Sequence, residues 1–264
     1  MLHYRKYICE TSNQWVTFLH GAGGSSAIWF KQVRDFSKKY NVLLIDLRGH
    51  GESQMKITAE IKSAYTFPKI AAEIMEVLDF EKIEKSYFAG ISLGTIVIRQ
   101  IAEQYPEKVL AMIMGGAVLD FNLKAKILLK LSFILKSVLP YLLFYKIFAY
   151  IIMPDNVHKK SRNLFIREAQ KICKEEFHRL FNLTIGINQV FKYFSKTELP
   201  IPTLYLMGED DHLFLGPIKK LLKTHVNYSQ LIIVPKSGHI CNVDNSEFFN
   251  NQALSFIAEN KKLK

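Results

Sequence analysis

Short, almost wholly apolar runs alternate along this chain with stretches of helical periodicity. "WVTFLH" (15–20), "NVLLIDL" (41–47), "SYFAGI" (86–91), "VLAMIMGGA" (109–117), "TLYLMGE" (203–209) and "QLIIVPKSG" (230–238) predict strands. Most are apolar at successive positions, as expected for strands covered by helices on both faces. "HYRKYICE" (3–10) alternates polar and apolar residues and suits a sheet edge. Segments 26–39, 65–80, 93–104, 215–224 and 246–260 carry the 3.6-residue period of amphipathic helices. Strand and helix in strict turn predict an α/β fold with a doubly wound, mostly parallel sheet.

The alternation stops between residues 118 and 198. This stretch has no convincing strand and no internal repeat, and is rich in Leu, Ile, Phe, Tyr and Lys. It divides the chain into a core of residues 1–117 and 199–264 and a helical insertion over 118–198. The longest charge-free run in its most apolar part is "SVLPYLLFY" (137–145), well short of the roughly 18 apolar residues of a membrane span. Several short helices are expected, lying as a cap over the carboxyl ends of the strands, where open α/β sheets bind ligands.

Composition changes this picture little: 49% hydrophobic and 22% charged residues are ordinary for a globular chain with a large core. Charge changes it more. The net charge of +11 is concentrated in residues 122–198, where 14 Lys/Arg face 5 Asp/Glu. No nucleic-acid-binding motif accompanies the basic excess, which points instead to anionic lipid or an anionic substrate. Cys9, Cys173 and Cys241 form neither a disulfide framework nor a zinc pattern. With no apolar signal segment behind Arg5 and Lys6, a cytoplasmic location is expected, with peripheral contact between the basic cap and anionic membrane. No metal or cofactor is expected.

The chemistry starts at "FAGISLGT" (88–95). Ser92 follows an apolar strand and precedes a helical pattern, between Gly90 and Gly94. A tight strand–turn–helix corner presses the residues two before and two after it together, so both must lack a Cβ. Such a corner exposes Ser92 Oγ at the sheet top and aims the Leu93 N–H at a developing oxyanion. A serine nucleophile needs a base, and the base needs an orienting carboxylate. "VPKSGHICNVD" places His239 just beyond the last strand, and "LMGEDDHLF" places Asp211 beyond the one before. The order Ser, Asp, His suits this architecture. Asp210 next door and Asp120 after the strand at 109–117 are alternative acids, and His212 flanks the site. In "FLHGAGGSS" (18–26) the Ala22 N–H is the second oxyanion donor; the string lacks the Gly-Lys-Ser/Thr of a phosphate loop. Asp46, Arg48 and His50 of "DLRGHGES" read as structural. Cys241 reads as a small loop or core residue.

Together "HGAGGS", "DLRGHGES", "GISLGT", "GEDD" and "SGHICNVD" resemble the α/β-hydrolase fold superfamily, in order and over nearly the whole chain except the insertion. The resemblance implies a sheet of seven or eight strands, since the family's first strand has no clear counterpart here. It implies Ser92, Asp211 and His239 as triad, Ala22 and Leu93 as oxyanion hole, and the insertion as the family's variable cap. Haloalkane dehalogenases and epoxide hydrolases of the family use an aspartate nucleophile, where this chain has Ser92. The menaquinone-pathway synthases have an arginine soon after the nucleophile, where this chain has Thr95 and Ile96. "GISLG" is similar to the motif of enol-lactonases and small carboxylesterases. The expectation is a serine hydrolase of carboxylic esters with an apolar acyl chain. Lactone, thioester or carbon–carbon bond hydrolysis on the same triad, or a low-turnover binding protein, are the alternatives.

Overall fold

A computed structural model describes residues 1–53, 65–172 and 174–261. Cys173 lies outside the described residues, and the Lys136 side chain is not described. Seven strands form one sheet: β1 (Tyr4–Tyr7), β2 (Trp15–Leu19), β3 (Asn41–Ile45), β4 (Ser86–Ile91), β5 (Val109–Gly115), β6 (Thr203–Gly208) and β7 (Ser229–Val234). Their order is β1-β3-β2-β4-β5-β6-β7. All neighbours are parallel except β1, which pairs antiparallel with β3 in the register Tyr4 to Ile45. The alternating run is the edge, half exposed along its length, whereas β3, β4 and β6 are buried at every residue. That contrast follows from the pattern: a strand between two neighbours and two helical layers has no wet face for a polar residue.

The sheet is flanked by α1 (Phe30–Phe36), α2 (Phe67–Phe80), α3 (Leu93–Gln104), α9 (Leu215–Leu221), α10 (Cys241–Asp244) and α11 (Ser246–Lys261). The expected helix over 26–39 is shorter. Ser25 Oγ caps a 3₁₀ turn over Ser26–Trp29 by accepting from Ala27 N, and α1 starts only afterwards. The expected helix over 215–224 ends at Leu221, where the N–H groups of Lys223 and Thr224 bond three residues back and tighten the chain.

Between β5 and β6 the chain forms α4 (Leu123–Val138), α5 (Tyr141–Ile152), α6 (Lys159–Ala169), α7 (Lys174–Leu183) and α8 (Ile187–Phe194). Asn122 starts α4 by accepting from Ala125 N at 2.8 Å. Pro140 separates α4 from α5, because it drives Leu139 into extended backbone. The insertion has a small core of its own in which Phe144, Tyr145, Phe177 and Phe181 meet, with Phe177 5.2 Å from Phe144 and 5.4 Å from Tyr145 between ring centres. No helix among the described residues is long and apolar enough to cross a membrane.

Candidate active site

Ser92 ends β4 and caps α3 with φ 53° and ψ −119°. A non-glycine residue in that region is strained and persists only where its surroundings hold it. They do so here by close approach. A Cβ on Gly94 would lie 2.3 Å from the Leu19 carbonyl oxygen, and one on Gly90 2.9 Å from the Gly94 carbonyl carbon. Glycine at both positions lets α3 seat directly on β2 and β4, which pushes the Ser92 side chain up and out of the sheet.

Ser92 Oγ lies 2.9 Å from His239 Nε2, and His239 Nδ1 lies 2.8 Å from Asp211 Oδ2. The loops that bring them there are bonded to one another: Asp210 N donates to the Ser237 carbonyl at 2.9 Å. Asp211 is further held by the Phe214 N–H on Oδ1, and the Phe214 ring packs 4.8 Å from the imidazole. Both members are almost fully buried. The neighbouring Asp210 is half exposed and faces His158 at 3.3 Å. Asp120 accepts from the Phe121 N–H and lines a separate surface pocket. His212 lends its carbonyl to Asn122 Nδ2, which ties the start of the insertion to this loop. Cys241 donates its thiol to the Leu206 carbonyl, and burial pushes that thiol far above its ordinary pKa, out of reach as a thiolate.

The loop after β2 passes directly over the nucleophile: a Cβ on Gly21 would lie 3.1 Å from Ser92 Cβ. The N–H groups of Ala22, on this loop, and Leu93, next to the nucleophile, make none of the described hydrogen bonds. Two buried histidines hold this loop. His20 Nδ1 donates to the Gly21 carbonyl at 2.8 Å while its Nε2 accepts from Leu47 N at 2.9 Å. His50 Nδ1 donates to the Arg48 carbonyl at 2.9 Å while its Nε2 accepts from Gly23 N at 3.2 Å. These bonds require neutral rings, and burial lowers both pKa values, that of His50 to about 4. Glu168 on α6 also accepts from Ser25 Oγ at 2.7 Å, joining the insertion to the same loop. The sequence marks His20 and His50 only as His-Gly dipeptides; their contact across the sheet top was not readable there.

Two cavities meet at Ala22 and Phe148. The smaller, about 50 Å³, holds Ser92 and His239 beneath Ile152, Phe165 and Glu168. The larger, about 180 Å³, is almost wholly apolar, with Phe121, Leu128, Phe144, Phe177 and Phe214 in its wall. Helices of the insertion thus cover the sheet top, forming most of the larger cavity's wall and part of the smaller one's. This arrangement can hold a carbonyl compound against Ser92, with an apolar chain on one side and a small group on the other.

Comparison with known proteins agrees with this architecture. A family model described as alpha/beta hydrolase fold matches residues 14–146. A Yersinia enterocolitica protein, provisionally named carbamate hydrolase RutD, is 28% identical over 243 residues, covering 90% of this chain and 84% of its own length. The pimeloyl-[acyl-carrier protein] methyl ester esterase of Wigglesworthia glossinidia brevipalpis is 29% identical over 239 residues, covering 85% and 86%. Among solved structures, MenH from S. aureus has a TM-score of 0.79 at 20% identity, covering 99% of this chain and all of that one.

Proposed function

We propose, from the premise that this chain belongs to the α/β-hydrolase fold family, that it is a serine hydrolase of carboxylic esters with an apolar acyl group. The observation that carries this reading is the unbroken hydrogen-bond chain from Asp211 through His239 to Ser92, beside an apolar cavity. Neutral His239 takes the Ser92 proton as Oγ attacks the ester carbonyl carbon. The carbonyl π electrons move onto oxygen, where the N–H groups of Ala22 and Leu93 receive them. Asp211 keeps the imidazole in the tautomer that accepts at Nε2 and stabilises its cation. Collapse of the tetrahedral species breaks the bond to the alkoxide, which leaves with the proton from His239. Water then gives a proton to His239 as it attacks the acyl carbon, and collapse of the second tetrahedral species breaks the bond to Ser92 Oγ, which takes that proton back as the acid leaves.

The two cavities divide the substrate. The acyl chain occupies the larger one and the alcohol the smaller, which has room only for a small group. The relative named for methyl ester hydrolysis supports the same division. Ser92 in place of an aspartate argues against epoxide opening through an alkyl-enzyme ester. The test is a fluorophosphonate probe with mass identification of the adduct, beside turnover of methyl esters of acids of two to twelve carbons, followed by release of the acid. Labelling on Ser92 and loss of turnover in Ser92→Ala are expected. Undiminished turnover in Ser92→Ala overturns the reading.

A further inference from the structure

Helices α4 and α5 are apolar on two sides. Their inner sides contribute Leu128, Phe144 and Phe148 to the larger cavity. On the outside of α4, Leu123, Ile127 and Leu131 recur every fourth residue, hence on one face, and are 74%, 57% and 46% exposed. Leu142, Leu143, Ile147 and Tyr150 are also exposed on α5. Apolar residues so gathered are a binding surface far more often than scattered exposed side chains are.

Two further observations decide what covers this face. The first is charge. Between Asp120 and Asp155 the chain has no acidic residue, and Lys124, Lys126, Lys130 and Lys146 are all exposed among these apolar side chains. The second is continuity. A groove between α4 and α5 is lined by Leu131, Leu135, Ile147 and Ile151, and shares Leu128, Ser132, Phe144 and Phe148 with the larger cavity. The outer groove and the larger cavity therefore lie on either side of one wall made by these four side chains.

We propose that the α4–α5 face docks on an anionic lipid surface and that the groove between these helices admits acyl chains from the lipid to the cavity. A lipid surface suits an apolar stripe fringed by lysines: the stripe enters the acyl boundary and the lysines meet the headgroup phosphates. A second copy of this chain is a poorer occupant, since a two-fold contact would bring these lysines towards their own symmetry mates with no carboxylate from this stretch between them. The helices lie on the surface and do not span it, in keeping with their length. The role of the groove rests on the ester-hydrolase reading; the docking does not.

Vesicle co-sedimentation and activity separate the two. The full chain should bind phosphatidylcholine vesicles containing about one-third phosphatidylglycerol and bind pure phosphatidylcholine weakly, the difference shrinking with salt. Lys126→Gln with Lys130→Gln should weaken anionic binding about thirtyfold, near fivefold for each lysine. Leu123→Glu with Ile127→Glu should abolish it; neither side chain lines the two cavities at the triad, so turnover of a soluble butyrate ester should persist. Ile147→Trp at the groove should slow hydrolysis of a long-chain ester held in vesicles while sparing the soluble butyrate. Equal binding of the wild type to both compositions, or undiminished binding by the Glu pair, overturns the docking. A wild-type dimer that the Glu pair converts to monomer, with no vesicle binding, assigns the face to a second copy and also overturns it. Vesicle binding as expected with no ester turnover would keep the docking and remove the ester reading.

Discussion

Asp210 and Asp211 are adjacent carboxylates with different surroundings. Asp211 accepts from His239 and from the Phe214 N–H in a nearly closed site, while Asp210 points at His158 from the surface. Asp211→Asn should lower kcat by about 10⁴ with the fold intact, because an amide no longer selects the imidazole tautomer that accepts from Ser92. Asp210→Asn and Asp120→Asn should stay within a few fold of wild type; kcat on a soluble ester beside a thermal melt checks all three. His50 carries a different consequence. Its pKa is lowered to about 4 by burial, whereas the imidazole of the unfolded chain titrates near 6.5. Between these values the unfolded state binds the extra proton, so stability rises with pH across the window. The contribution is complete above about pH 6.5 and is lost as pH falls towards about 4, on the order of 3 kcal/mol for this group. Urea midpoints at pH 7 and 4.5 should therefore differ more for the wild type than for His50→Gln. The same pH drop in both proteins would remove this account.

Among the elements, α7 has a defined seat on the core. Glu176 accepts from the Tyr65 hydroxyl at 2.7 Å and pairs with Arg179 at 3.4 Å. Its carboxyl group occupies the space a side chain on Gly49 would fill, with Cδ 2.1 Å from such a Cβ. Beneath it, the ion pair of Arg48 with Glu73 is buried on both sides. The next residues of the helix, Phe177, Leu180 and Phe181, line the larger cavity. Glu176→Ala removes the carboxylate that receives the Tyr65 hydroxyl and should let α7 shift. The expected outcome is a rise of about tenfold or more in KM for octanoate esters, the equivalent of about 1.4 kcal/mol of lost binding, with kcat on acetate little changed. An equal loss on both substrates would instead place the effect at Ser92. The helical character of this segment was legible in its periodicity. Its seat was not, because Glu176 and Tyr65 are 111 residues apart and no local pattern joins them.

At the scale of the molecule, the site lies between two layers. The sheet supplies Ser92, Asp211 and His239 from three loops at one end of the strands, and the insertion supplies most of the larger cavity beside them and part of the smaller one. If the larger cavity takes the acyl chain, specificity should climb from acetate upward, at up to about 0.8 kcal/mol per methylene buried, and level off once about 180 Å³ is filled. Measuring kcat/KM along the ester series checks this, and a maximum at acetate would contradict it.

The positions of the strands and of the tight corner at Ser92 were legible because both rest on short-range chemistry. A short apolar run bounded by turn residues reads as a covered strand, and Gly90 and Gly94 around Ser92 permit the one tight corner that leaves an oxygen exposed. Asp211 and His239 were legible as ends of apolar runs. The choice between Asp210 and Asp211 was not, since the two share one turn whose orientation is fixed by bonds such as that from Asp210 N to the distant Ser237 carbonyl. The insertion announced its apolar character but not its faces. Which of Leu128 and Ile127 turns inward depends on how α4 packs against α5 and the sheet, and helical periodicity alone leaves that rotation open when both sides of a helix are apolar. The His20 and His50 rings, tilted against each other with centres 5.0 Å apart, show the same limit: local sequence sets each loop, and only the packing of β2 beside β3 brings the two loops together.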